Sequence, residues 1–152
     1  MELLNQEFSG DSGASILAED DQKAGDVYTF SYGLPGFESL TKFIVRDVAG
    51  FTPFKILHAH HDPTVAFLMI EHKKILPPDI ADQLSEALQK SNPTLMSNTS
   101  VCVYSVLQYN RGTKGFTANL RAPIVVDESS KSGRQIILDQ QALPMNYALN
   151  RK

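Results

Sequence analysis

Short segments rich in β-branched and aromatic residues recur along the chain, each bounded by glycine, proline, asparagine or aspartate. Such segments suit a pleated, half-buried surface, and the residues between them are typical of tight turns. The predicted strands cover residues 27–32, 42–48, 54–59, 64–71, 101–108, 116–120, 124–127 and 134–138. No βαβ alternation is present, so the pattern predicts a mainly β fold: a small antiparallel β-barrel-like or sandwich domain with one short helix.

The predicted helix covers residues 79–90, where Ile80, Leu84 and Leu88 recur at i, i+4 and i+8 and form an apolar stripe. Asp79 follows two prolines and is predicted to be the N-cap residue. Segment 64–71 is apolar on both faces through its middle, which predicts a central strand rather than an edge.

Residues 34–37 (Leu-Pro-Gly-Phe) predict a type II turn, because proline presets φ at the second position and glycine accepts a positive φ at the third. The structural interpretation has Phe37 anchoring a corner of the core. Farther along, Asn119 is expected to bond the backbone near Pro123, where the missing N–H of proline predicts a bulge or an edge.

Length and composition predict one folded domain, with 152 residues, 42% hydrophobic and 20% charged residues. Residues 1–25 are predicted to form a flexible or irregular N-terminal arm, 26–140 the β domain and 141–152 a C-terminal tail. The first residues lack the basic start of a secretory signal and no apolar run is long enough to span a bilayer, so a cytoplasmic protein without membrane contact is expected.

The net charge of −3 argues against direct nucleic-acid binding, which draws on Lys and Arg to neutralise phosphates. A basic protein is a better candidate for a partner. Cys102, the single cysteine, lies in an apolar run and is expected to pack as a small hydrophobe.

The sequence HAHHD at residues 58–62 supports a rival hypothesis. His58 and His60 would share one face of a strand, where a metal ion could bridge them, and His61 follows directly. This alternative is a small β-barrel metalloenzyme. A cupin-like site expects a carboxylate soon after the HxH pair, yet the next glutamate is Glu71, so no metal site, cofactor or catalytic residue is assigned and the chain is expected not to be an enzyme.

Several stretches occur in a fixed order: GLPGFE at 33–38, PF at 53–54, AFLMI at 66–70, TANLRAPIVV at 117–126 and GRQIIL at 133–138. Together, over residues 26–140, they closely resemble the FliW family of flagellar assembly factors. The resemblance implies a compact β-barrel-like fold and two cytoplasmic partners, flagellin and the translational repressor CsrA. In that family the protein holds CsrA away from flagellin mRNA until newly made flagellin displaces it.

Candidate partner-binding residues fall in two groups. The first contains the turn and the asparagine: Gly33, Leu34, Pro35, Gly36, Phe37 and Asn119. The second contains acidic residues expected to cluster between segment 64–71 and the helix: Asp62, Glu71, Asp79, Asp82 and Glu86. An apolar groove or an open strand edge is expected to take a flagellin segment, as a helix or by strand addition, while the acidic face meets CsrA.

Overall fold

The computed structural model of the protein describes residues 25–51, 53–74, 76–139 and 143–149. Apart from Gly25, the predicted N-terminal arm lies outside these residues. The strands are β1 Asp26–Thr29, β2 Lys42–Asp47, β3 Phe54–Ala59, β4 Ala66–Glu71, β5 Val101–Asn110, β6 Gly115–Ala118, β7 Ile124–Asp127, β8 Ser132–Gln135 and β9 Tyr147–Ala148. The prediction of a mainly β fold is confirmed.

Seven strands close a barrel in the order β4, β3, β2, β1, β8, β7, β5, because β4 pairs back onto β5. Of the two architectures left open by the sequence, the barrel is therefore the one formed. β4 has a strand on each side, as its apolar faces predicted. Neighbours are antiparallel except for β1 and β8, which meet in parallel through Thr29 and Ser132.

The long strand β5 leaves the barrel before it ends. Its first residues pair with β7 up to Tyr104, and its last residues pair with β6 from Leu107 onward. β9 then pairs with the outer side of this extension and lies within residues 141–152, which the sequence analysis assigned to a tail. Leu143, just before β9, is fully buried, so this part of the tail packs against the β domain.

The described part of the chain contains two apolar clusters that hold the fold together. The barrel interior contains Phe30, Phe43, Leu57, Met69, Tyr104 and Ile124 among other residues. The second cluster lies between the barrel wall and a helix and contains Ile56, Ile70, Leu84, Leu88 and Val103 among others. At about 25 cal/mol per Å² of buried apolar surface, these two clusters are the main source of stability.

The helix that covers the barrel wall is α1, Pro78–Ser91, close to the predicted range. The N-cap prediction for Asp79 is wrong: Pro77 occupies the cap, and no side chain of the described residues caps the helix. Pro78, whose fixed φ suits the first helical position, starts the helix one residue earlier and leaves Asp79 in the first turn. A 3₁₀ turn, His72–Lys74, precedes α1, and a short helix α2, Pro93–Met96, follows it.

Several strand ends differ from the prediction, those of β1 and β8 by the most. β1 ends at Thr29, since the chain turns at Ser31 and Tyr32. β8 ends at Gln135, although the Ile136 and Leu138 N–H groups still donate to carbonyls in the irregular segment 119–123. Among the described residues, no helix is both long and apolar enough to cross a membrane.

Candidate functional site

The turn at residues 34–37 has the predicted type II geometry. Gly36 has a φ of 87°, and the Phe37 N–H donates to the Leu34 carbonyl at 2.7 Å. Gly33 before it has a φ of 65°, and a Cβ there would lie 2.6 Å from the Glu38 Cα. The backbone of this turn therefore requires glycine at Gly33 for both conformation and space.

The prediction that Phe37 anchors the core is wrong. Phe37 is 37% exposed, whereas Leu34 is 3% exposed and is the turn residue that joins the barrel interior. The Phe37 ring meets the Phe67 ring of β4 edge to face, with centroids 5.8 Å apart. The turn thus presents an aromatic side chain at the surface, next to the first residues of β4.

Asn119 has the structural role that the sequence analysis expected. Its side-chain oxygen accepts a hydrogen bond from the Arg121 N–H at 3.0 Å, and its own N–H donates to the Val106 carbonyl at 3.0 Å. These bonds secure the irregular segment before β7 and the point where β5 turns away from β4. A partner contact by Asn119 itself stays a prediction.

Three of the acidic candidates form one exposed stripe on α1. Asp79, Asp82 and Glu86 are spaced i, i+3 and i+7, which places them on one side of the helix, and all three are exposed. Leu84 and Leu88 occupy the opposite, buried side. Glu71, at the end of β4 that leads toward α1, is half-buried. We call Asp79, Asp82 and Glu86 the acidic stripe.

Asp62 does not belong to this cluster. It lies in the turn before β4, where its carboxylate accepts a hydrogen bond from the Thr64 hydroxyl at 2.5 Å. At the usual rise per residue β4 spans about 17 Å from Ala66 to Glu71, so Asp62, which precedes the strand, and Glu71, which ends it, lie at its opposite ends. The acidic candidates are therefore divided between the two ends of β4.

The structure does not favour the metal-site hypothesis. His58 is 1% exposed with Nδ1 3.2 Å from the Ala59 carbonyl, and burial lowers its pKa. β3 ends at Ala59, so His60 and His61 lie beyond the strand on the surface, where their rings pair with each other. Across the described residues, no group of three or more His, Cys, Asp or Glu side chains is placed to hold a metal ion.

The Asp127 carboxylate, which is not one of the candidate partner-binding residues, has an unusual electrostatic environment. The Asp127 carboxylate accepts hydrogen bonds from the Ser100 hydroxyl at 2.6 Å and from the Ser129 hydroxyl at 2.8 Å. These bonds hold the pKa of Asp127 well below its usual range. The network ties the loop before β5 to the turn after β7, and so helps to fix these two segments of the barrel.

The sequence analysis also missed the residues beside Phe37 on β4. Phe67 is half-buried, contacts Phe37, and lines an apolar cleft together with Tyr109 and other side chains. Its segment was predicted to be apolar on both faces, which is the signal that could have indicated a partly uncovered aromatic side chain there.

Comparison with known proteins decides the family. The family model described as FliW protein matches residues 15–149. The chain belongs to the FliW family. The stretches GLPGFE and TANLRAPIVV lie within the matched range, and the first of them forms the turn that exposes Phe37.

Relatives from several bacteria carry the same description. The flagellar assembly factor FliW of Clostridium tetani is 31% identical over 129 residues, which cover 85% of this chain and 88% of that protein. The flagellar assembly factor FliW of Clostridium kluyveri is 31% identical over 147 residues, covering 96% of this chain and 94% of that one. A crystal structure of the flagellar assembly factor FliW superposes with a TM-score of 0.65 at 29% identity, covering 84% of this chain and 87% of the other. The family is named for assembly of the flagellum, and no enzymatic family is indicated.

Proposed function

We propose that this protein is a cytoplasmic flagellar assembly factor that binds flagellin and antagonises the translational repressor CsrA. The observation that carries the proposal is the FliW family match over residues 15–149. By holding CsrA away from flagellin mRNA until new flagellin displaces it, the protein would couple flagellin synthesis to assembly of the flagellum.

The acidic stripe supports the CsrA half of the proposal. A protein that binds RNA needs Lys and Arg to neutralise phosphates, so CsrA is expected to present a basic surface. Asp79, Asp82 and Glu86 are exposed along one side of α1, and within the described residues none of them makes an ion pair that competes with a partner. Carboxylates held beside CsrA would also disfavour RNA phosphates nearby, so inhibition does not require occupation of the RNA site.

The exposed turn supports the flagellin half. Phe37 and Phe67 form a partly uncovered aromatic pair, and aromatic side chains, Phe among them, are enriched in protein interfaces relative to the rest of the surface. A filament subunit must bury apolar surface against its neighbours once assembled, so before assembly that surface needs a cover. Gly33, Leu34, Pro35 and Gly36 would then act by holding Phe37 in place.

Size-exclusion chromatography of purified components tests the proposal. The protein is mixed at low salt with flagellin in one run and with CsrA in another, and a third run adds flagellin to the CsrA complex. Co-elution with each partner, and release of CsrA by flagellin, is the expected result. If the protein co-elutes with neither flagellin nor CsrA at low salt, the proposed function is overturned.

A further inference from the structure

β4 is paired unequally on its two sides. Toward β3 it pairs over most of its length, from His58 opposite Ala66 to Phe54 opposite Ile70. Toward β5 the pairing starts only at Met69 and continues to Glu71. From Leu107 onward β5 is paired with β6, on its other side, and among the described residues is no longer paired with β4. Within the described part of the chain, residues 66–68 therefore have a strand on one side alone.

The hydrogen-bond pattern shows which backbone groups face the open side. The Ala59 N–H of β3 donates to the Val65 carbonyl at 2.9 Å, so Val65 turns its backbone toward β3. In an antiparallel pair, residues that bond to a given neighbour alternate with residues that face away from it. Phe67 therefore also bonds toward β3, and the backbone groups of Ala66 and Leu68 point away from it.

The gap between the diverging strands is apolar and small. The described residues that line it include no charged side chain: they are Ala66, Phe67, Leu68, Val106, Leu107, Tyr109 and Phe116. Its volume is about 140 Å³. Since small-molecule sites usually start at roughly 300 Å³, the cleft suits a single apolar side chain rather than a ligand of drug size.

We propose that an extended segment of flagellin adds as a strand to the open edge of β4 at residues 66–68 and inserts one apolar side chain into this cleft. The inference rests on the proposed function and names its site. A helix satisfies its own backbone, whereas an open strand edge offers unpaired N–H and C=O groups that another extended chain can bond. An uncharged lining offers nothing to the basic surface expected of CsrA, which the acidic stripe at the far end of β4 matches better. We therefore assign the cleft to flagellin, the filament subunit.

Ala66 gives a matched pair of variants. It is the first residue of β4, where proline is tolerated in strands, and its N–H faces away from β3. Ala66→Pro therefore removes a donor from the open edge and leaves the bonds between β3 and β4 in place. Ala66→Ser keeps the donor and nearly the same volume. Each variant is titrated with purified flagellin after circular dichroism has checked its fold.

We expect Ala66→Pro to weaken flagellin binding at least tenfold and Ala66→Ser, which keeps the N–H donor, to weaken it much less than Ala66→Pro does. Hydrogen exchange of the unaltered protein gives a second readout that does not depend on the folding of a variant. Flagellin should slow exchange of the Ala66 and Leu68 amides, while the Phe67 amide, already bonded toward β3, serves as the internal control.

Two results would overturn the strand-addition site while the proposed function stands. One is a folded Ala66→Pro variant that binds flagellin as tightly as the unaltered protein. The other is a flagellin complex in which the Ala66 and Leu68 amides exchange as fast as before. If the unaltered protein does not bind flagellin at all, both the site and the flagellin half of the proposed function fall.

Discussion

The two ends of β4 differ in what they offer a partner. At the Ala66 end the strand edge is open, the neighbouring cleft is apolar, and Phe37 and Phe67 lie partly exposed. At the Glu71 end the strand is paired on both sides and leads to α1 with its acidic stripe. Apolar burial and backbone pairing act at contact distance, whereas charge acts over about 10 Å at 0.1 M salt. Under the proposed function, one strand would thus serve two partners of different chemistry without sharing a surface.

The largest loss of stability is expected on the buried side of α1, opposite the acidic stripe. Leu84 is fully buried between α1 and the barrel wall, so Leu84→Ala leaves a cavity and should lower the free energy of unfolding by about 3 kcal/mol. Glu86→Ala, on the exposed side of the same helix, should change it by less than about 0.5 kcal/mol. Urea denaturation measures both variants. A loss below about 1 kcal/mol for Leu84→Ala would mean that α1 is not packed on the barrel.

The turn at the opposite end should be the next most sensitive region. Gly33→Ala combines a strained positive φ with a collision against the Glu38 backbone, and should destabilise the protein by about 3 kcal/mol or slightly less. Gly36→Ala is the control, since its φ is also positive but its Cβ would meet no atom of the described residues within 4 Å, and about 1 kcal/mol is expected. Thermal unfolding compares them. Equal losses for the two variants would show that crowding at Gly33 is unimportant.

Acid should loosen both ends of β4. Burial lowers the pKa of His58, which lies opposite Ala66, and the pKa of His72, which directly follows Glu71. The positive charge of Arg46 lowers the pKa of His58 further, and that of Lys73 lowers the pKa of His72 further. Each histidine binds its proton more readily when unfolded, so stability is full above the ordinary value of about 6.5 and falls as the pH drops below it. The expected slope is at most about 1.4 kcal/mol per pH unit for each histidine.

Variants separate the contributions of these histidines. His72→Gln should flatten the fall in stability between pH 6.5 and 5, measured by urea denaturation at several pH values. A slope that His72→Gln does not alter would place the acid sensitivity elsewhere in the molecule.

Removing the acidic stripe should have the smallest effect on the fold. The variant with Asp79→Asn, Asp82→Asn and Glu86→Gln should keep its stability within about 0.5 kcal/mol, since all three side chains are exposed. Its affinity for CsrA should fall several-fold at low salt, mainly through slower association, and should depend less on ionic strength. Asp62→Asn, at the other end of β4, is the control. Binding of CsrA by the unaltered protein that is flat from low to high salt would contradict a role for charge.

Elements that are marked by residues within or next to them were predicted correctly from the sequence. Pro53 and Pro123 precede β3 and β7, and both strands begin and end where the sequence analysis placed them. The repeat of Ile80, Leu84 and Leu88 located α1 in the same way. Long-range features were missed. The parallel contact of β1 with β8 depends on Gly133, where a Cβ would lie 2.4 Å from the Phe30 ring, and no pattern within either strand reports that proximity.

The candidate site shows the same division. The type II turn followed from Pro35 and Gly36 alone, and the structure confirms its backbone. The exposure of Phe37 could not be predicted, because it depends on which side chains from distant strands lie above the turn. The separation of Asp62 from the acidic stripe likewise follows from the direction of β4, which only the barrel topology fixes.

The division of partners between the two ends of β4 is tested most directly by one set of four affinities. Ala66→Pro and the triple acidic-stripe variant are each titrated with flagellin and with CsrA at low salt. The account predicts a crossed result: Ala66→Pro loses flagellin and keeps CsrA, while the stripe variant loses affinity for CsrA and keeps flagellin. If both variants weaken both partners equally, or if neither variant affects either partner, the two ends do not have the separate roles described.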